Sequence, residues 1–311
     1  MRKQDTILLA GSFGAMAIGV FTPFLAEPLA WAPRFGMLCM LFISFLAVDG
    51  REAWLNLVHY PLAVFLIALL KLVVMPVVCW HVFQLVLPEY ALGATLVAGA
   101  ATAVAAPFFA FMVQADAILV LVSLVATSLL MPFVLPLVLA FLGAADQTVG
   151  GVQVALPVIP MMVNLLVMMV LPFIAAQIVR HTSKRAMDGI LRRRQGLFLV
   201  LTVVGNLAIF SMYSPVIMQT PQYVFMAFLC ACLACFISYV LVSAGTFWLP
   251  PVKQLAFVIS CVSVNGVAVL IISIDFFGAP EALTTAMAAG PLYLGLPLFR
   301  FLGKLRGFNP K

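Results

Sequence analysis

Long apolar runs bounded by charge, Pro or Gly recur along the whole chain, and ten are long enough to be candidate membrane spans: residues 6–26, 30–48, 57–86, 91–114, 117–143, 154–180, 196–219, 222–248, 252–275 and 281–302. Crossing the hydrocarbon takes about 20 predominantly apolar residues at about 1.5 Å each. Connections between the runs are short. The pattern predicts an all-α integral membrane protein of ten transmembrane helices, with residues 1–311 forming a single transmembrane unit. Composition agrees: 65% of residues are hydrophobic and 8% charged, which excludes an ordinary soluble domain.

An even number of spans puts both termini on one side, and the basic residues select it. Arg2, Lys3, Arg51, Arg180, Lys184, Arg185, Arg192, Arg193, Arg194, Lys253, Arg300, Lys304, Arg306 and Lys311 share that side, while Arg34 stands alone opposite. This asymmetry predicts cytoplasmic termini and a multi-pass protein of the inner (cytoplasmic) membrane. The net charge of +6 then reflects topology, and no nucleic-acid partner is needed to explain it. The basic linker, residues 181–195, is read as a topogenic loop, with a grip on anionic membrane lipids as the rarer alternative. The apolar start resembles a signal peptide, with Ala30-Trp31-Ala32 as a possible cleavage site, but is read as a retained first helix. Cys230, Cys232 and Cys235 have no His, Asp or Glu beside them in their span, so they are read as packing rather than as a metal site. No cofactor or metal is expected.

One charge falls inside a span. Lys71 sits mid-way along PLAVFLIALLKLVVMPVVCW, residues 61–80. A charge at a helix centre is disfavoured by at least about 2.5 kcal/mol on insertion scales and is usually found facing a cavity or a partner. Either Lys71 serves a site, or neighbouring carbonyls hold it as a packing device.

The ten expected spans divide five and five into 1–143 and 154–303, with the basic linker, 181–195, following the sixth. Five helices each is an odd number, so the halves must be inverted, a 5+5 repeat. Matching acids, Asp116 in ADAIL and Glu281 in PEAL, follow the fourth and ninth spans. Those two spans also carry breakers at mid-depth: Pro107 in the fourth, Asn265 and Gly266 in the ninth, with Ser260 and Ser263 nearby. Interrupted spans at matching places point to a transport site, because broken ends present unpaired amides and carbonyls. Tolerated kinks are the plainer alternative. Thr127 and Ser128 in the fifth span, and Thr284 and Thr285 in the tenth, add hydroxyls that line such a site or bond back to their own helix. Asn164 and Asn206 are the distinctive polar groups elsewhere.

These residues resemble the bile acid:sodium symporter superfamily over nearly the whole chain, through LLKLVVMPVVCW, the broken fourth span, VQADAILVLVSLVATSLLMP and the Asn-Gly break. The resemblance implies a core of spans three to five and eight to ten, a panel of spans one, two, six and seven, and fourth and ninth helices crossing at the centre. It implies a small organic anion as substrate, bound between core and panel, and sodium as coupling ion. Here the sodium machinery departs. Ser260 and Val264 stand at the places of a Glu and a Gln, Ala106 and Pro107 replace a Ser-Asn pair, and Lys71 replaces a sodium-binding Gln. Sodium must exchange its water for several oxygen ligands. The departures suggest that the Lys71 ammonium occupies the ion's place, and a buried lysine can exchange a proton. Coupling to H+, or none, becomes the expectation, with Na+ coupling and a non-transporting sensor as alternatives. Oligomeric state is not readable.

Other classes fit less well. A sodium/proton antiporter needs embedded aspartates, which the fifth span lacks. His59, His81 and His181 form no catalytic constellation, so no enzyme is expected. A pump lacks its G-x-x-x-x-G-K-[ST] loop.

Overall fold

A computed structural model describes residues 3–47, 60–144, 147–149, 152–154 and 157–307. Arg2, Arg51, Lys311 and the first residues of the third expected span, 57–59, lie outside the described residues.

The protein is helical, as hydrocarbon requires of segments that must satisfy their own backbone groups. In chain order the helices begin with α1 (Lys3–Phe21), α2 (Ala32–Leu46), α3 (Pro61–Val86), α4 (Ala91–Gly99), α5 (Ala106–Met112) and α6 (Ala117–Phe141). A small antiparallel hairpin, β1 (Gln147–Val149) and β2 (Val152–Val154), precedes α7 (Val158–Thr182). Then come α8 (Lys184–Arg192), α9 (Arg194–Met212), α10 (Ser214–Gln219), α11 (Pro221–Gly245) and α12 (Pro251–Val262). The chain ends with α13 (Gly266–Phe276), α14 (Ala279–Met287) and α15 (Ala289–Leu305).

Helices α3, α6, α7 and α11 are each long and apolar enough to cross a membrane, with mean hydropathies of 2.8, 2.6, 2.4 and 2.5 in their most apolar stretches. Taken together as one span, α9 and the α8 helix bent 65° from it would count as a fifth such segment by length and composition. The chain is therefore a multi-pass membrane protein. The other expected spans coincide with shorter helices or with half-helices separated by breaks. The basic linker at 181–195 proves helical rather than an open loop, because Ser183 Oγ accepts from Ala186 N (3.3 Å) and starts α8 with an N-cap.

The chain divides into two compact units. One comprises Met1–Asp49 and Val170–Met226, and the other Gly50–Met169 and Ala227–Lys311. In the first, α1 packs along α9 at close range, and a Cβ on Gly19 would stand 2.8 Å from Leu207 O and from Phe210 Cβ. Polar contacts between these helices are few and internal: Asn206 Nδ2 donates to Ser12 Oγ (2.7 Å) and Ser214 Oγ to Val20 O (2.6 Å). Arg180 Nη1 donates to Leu46 O (3.1 Å), and Phe45 meets Phe173 edge to face.

In the second unit the close approaches are again at glycines. Gly93 on α4 leaves room for Thr284 of α14, whose Cβ would lie 2.8 Å from an added methyl, and Gly99 does the same for Leu135 and Pro76. Leu135 and Gly99 thus wedge the ends of α6 and α4 against α3 beside Pro76. These contacts hold the broken segments where the candidate site forms.

Candidate functional site

Both expected breaks are real, and they meet. Between α4 and α5 the chain is non-helical from Ala100 to Ala105, and between α12 and α13 from Ser263 to Asn265. The two extended pieces pair as an antiparallel bridge at Thr102 and Val264. Ala103 N donates to Ser263 O (3.0 Å), and Asn265 N to Ala101 O (2.9 Å). Each break thereby satisfies backbone groups of the other, which no lipid could do. Four half-helix ends converge on this crossing, two presenting carbonyls and two presenting amides.

Helix α6 supplies the side-chain support. Thr127 Oγ1 accepts from Thr102 N (3.1 Å) while donating to Ser123 O (2.7 Å) of its own helix. One turn on, Met131 Sδ accepts from Ala101 N (3.3 Å). Thr127 thus bonds back to its own helix and at the same time satisfies a backbone amide of the first break.

Lys71 comes to the same place from α3. Residues Leu70–Val74 form a π-helical turn, in which Met75 N bonds Leu70 O five residues back. Pro76, which would extend that pattern to the carbonyl of Lys71, has no N–H. A π-turn shifts the face that a helix presents and is frequent at functional sites. Lys71 is 0% exposed, and its Nζ donates to Cys261 O at 2.5 Å, one residue from the end of α12. A cation there meets the negative end of the helix dipole. Thr102 Oγ1 takes the adjacent carbonyl, Ser260 O (2.8 Å). Cys79, Cys235 and Cys261 surround the ammonium and are buried with it. Among the described residues no carboxylate pairs with Lys71.

Most of the remaining candidates lie in or beside the crossing. Ser128, Ser260, Ser263 and Asn265 are all buried, at 1%, 0%, 1% and 5% exposure. Their side-chain atoms Ser128 Oγ, Ser260 Oγ, Ser263 Oγ and Asn265 Nδ2 have no hydrogen-bond partner. Buried polar groups are ordinarily paired, and unpaired ones at a helix break suit a ligand. Asn265 occupies the N-cap of α13 but its side chain makes no capping bond, which leaves its amide free beside the helix's positive end. Gly266 is the first residue of α13, where an added Cβ would make only ordinary contact with Thr285 O at 3.7 Å. Its place in the site is through its backbone.

Two expectations need correction. Pro107 does not break the fourth span by disturbing the helix behind it. It sits in the first turn of α5, where a missing N–H costs little, and the break precedes it. Thr285 Oγ1 donates within α14, to Glu281 O (2.9 Å), and to Ser273 Oγ (3.1 Å), so it is occupied away from the crossing. Asn164 likewise donates to Asp275 Oδ2 (2.8 Å). The two matched acids do one job: Asp116 Oδ1 accepts from Leu119 N (3.0 Å) to cap α6, and Glu281 Oε2 accepts from Gly278 N (3.1 Å) at the start of α14.

Sequence reasoning missed Thr102, Met131 and the carbonyl of Cys261. A lone Thr in an alanine-rich run was a faint signal for the first. A thioether acceptor and a main-chain carbonyl leave none.

The site thus lies where two interrupted helices meet beside a buried lysine. The sequence profile of the Sodium Bile acid symporter family matches residues 34–220. The chain belongs to this family. No curated protein matches it by sequence. The family is one of transporters. The matched stretch includes α3 with Lys71 and the whole of the first break, and ends before the second.

Proposed function

We propose that this chain is a secondary transporter that moves a small organic anion across the cytoplasmic membrane by alternating access. It would do so as ten spans in an inverted 5+5 arrangement with cytoplasmic termini. Coupling is to protons or absent, with Lys71 standing where relatives hold sodium. The carrying observation is the Lys71 ammonium on the Cys261 carbonyl at the broken end of α12. That is the contact a bound cation would make, supplied here by the chain. Asp116, as the N-cap of α6, and Glu281, three residues after the N-cap of α14, each satisfy an amide at a helix start after a broken span, which supports the repeat.

The substrate's charge follows from what remains free. Lys71 neutralises the carbonyl end of α12, whereas Asn265 Nδ2 and the amide end of α13 still offer donors. A carboxylate satisfies both. Thr127, Ser128, Ser260 and Ser263 contribute hydroxyls around it.

A second reading, sodium-coupled symport, draws on the unpartnered hydroxyls of Ser128, Ser260 and Ser263, which are oxygen donors without a bond. It lacks a carboxylate to balance the ion. Liposomes containing the purified protein and a panel of radiolabelled small carboxylates, including taurocholate and pantothenate, separate the readings. Saturable uptake and counterflow without sodium support the proposal. Uptake that requires a sodium gradient and is indifferent to Lys71→Gln overturns the coupling assignment. Binding without counterflow would make the chain a sensor.

A further inference from the structure

We infer that α8 is an interfacial helix whose basic face binds the anionic headgroups of membrane phospholipids. A loop that only directs topology needs charge. It does not need a capped helix with two distinct faces, and α8 has both.

At 100° per residue, Ala186, Met187, Ile190 and Leu191 fall on one side of α8, and Lys184, Arg185, Asp188 and Arg192 on the other. The structure follows this division: Met187, Ile190 and Leu191 are half-buried, whereas Lys184, Arg185 and Arg192 are exposed. The helix also contacts α2 of the same unit. Arg193 and Arg194, also exposed, extend the basic face into the turn before α9. Asp188 is the one acid in this segment, and among the described residues none of these cations has an ion-pair partner. Other arginines of the protein are committed internally: Arg180 to Leu46 O and Arg306 to the carbonyls of Phe247 and Leu249.

Position selects the partner. Only Ser183 separates α8 from α7, and only Arg193 separates it from α9. The helix before it, α7, is long and apolar enough to cross a membrane, α9 is an apolar helix of 19 residues, and α8 lies 65° off the axis of α9. The helix is therefore tied to the membrane surface, with no tether to reach a partner in solution. An apolar side at the acyl boundary and unpaired cations at phosphate level describe an amphipathic interfacial helix. Each basic residue near an anionic surface strengthens association by roughly fivefold.

The test uses the full-length protein in detergent, with phosphatidylglycerol or phosphatidylcholine added in equal amounts. Native mass spectrometry reads bound lipid, and thermal unfolding reads the stabilisation. The expected result is a preference of about tenfold or more for phosphatidylglycerol, weakened by high salt and not removed by inorganic phosphate. The triple variant Arg192→Gln, Arg193→Gln, Arg194→Gln should lose most of it, and Asp188→Asn should increase it. Should the triple variant fail to insert, Asp188→Asn and the salt series still decide. Equal binding of the two lipids by the wild type overturns the inference. So does a preference unchanged by the triple variant, or by Asp188→Asn and salt, and displacement by phosphate would reduce the site to a simple anion site.

Discussion

Replacing Lys71 by Gln tests the central feature of the site. Three terms change. An ammonium about 4 Å from half a negative charge at a helix end, at an effective dielectric of about 20, gains roughly 2 kcal/mol. The Cys261 carbonyl, bonded to Nζ at 2.5 Å, loses its donor because Gln is too short to reach it, and an orphaned buried acceptor costs about 1–3 kcal/mol. Against these, removing a charge from mid-helix relieves about 2.5 kcal/mol or more. The terms oppose one another and are similar in size. In sodium-free buffer the variant is therefore expected within about 2 kcal/mol of wild type.

Ion dependence is what should change. Lys71→Gln restores a neutral oxygen ligand and frees the Cys261 carbonyl beside the unpartnered Ser260 and Ser263 hydroxyls. An ion at ten to a hundred times its Kd stabilises the folded state by about 1.4–2.7 kcal/mol. For a chain of this size that is roughly 2–4 °C in melting temperature. Thermal unfolding in sodium chloride against choline chloride, at equal ionic strength and several pH values, should show no sodium effect in wild type and a stabilisation in Lys71→Gln. Sodium-specific stabilisation of the wild type, equal to that of the variant, refutes the assignment of Lys71 to the ion's place.

Three further outcomes follow from individual contacts. Thr102→Val strips the donor from Ser260 O and should lower stability by about 1–3 kcal/mol in thermal unfolding, while Thr102→Ser keeps the bond and most of the stability. Asn265→Ala should leave the melting temperature nearly unchanged, since Nδ2 has no partner, yet reduce liposome uptake of the transported anion at least about tenfold. Gly93→Ala drives a methyl into Thr284 and should cost about 1–3 kcal/mol, whereas Gly14→Ala meets nothing within 4 Å and should be silent in the same melts.

Some of this architecture was legible in the sequence because its physics is local. An apolar run declares its length wherever it occurs, and a charge inside one declares its cost, so the membrane class and Lys71 could be read directly. The break near Asn265–Gly266 was legible for the same reason, although the non-helical stretch is Ser263–Asn265 and Gly266 already starts α13. Pro107 misled because proline is as much a starter of helices as a breaker: the break in the fourth expected span begins at Ala100, directly after Gly99, in a run of small residues. What holds that break is distant in sequence. Met131 and Thr127 reach it from α6 and Ser263 from beyond α12, and the carbonyl that receives Lys71 belongs to Cys261, 190 residues away. Every residue has such a carbonyl, so no residue type could have marked it.

A bound sodium ion and a lysine can hold the same carbonyls, but only the ion can be released on the far side, and that release is how a gradient does work. A fixed ammonium leaves two possibilities under the proposed reading. Without a co-ion, each monoanion carries its own charge through the membrane potential, worth about 2.3 kcal/mol per 100 mV, and an interior-negative cell opposes its entry. The protein would then serve export or exchange. Alternatively Lys71 carries a proton, which requires breaking the bond to Cys261 O and exposing a side chain that is 0% exposed here. Lys71→Arg separates the two, because a guanidinium keeps its charge at any physiological pH. In liposomes with an alkaline interior, a proton carrier should show faster anion uptake in wild type that vanishes in Lys71→Arg, leaving only the dependence on potential. Uptake that still follows the proton gradient in Lys71→Arg would remove Lys71 from the proton path. Uptake that ignores the gradient in both proteins would leave the potential as the driving force and Lys71 as a permanent substitute for the ion.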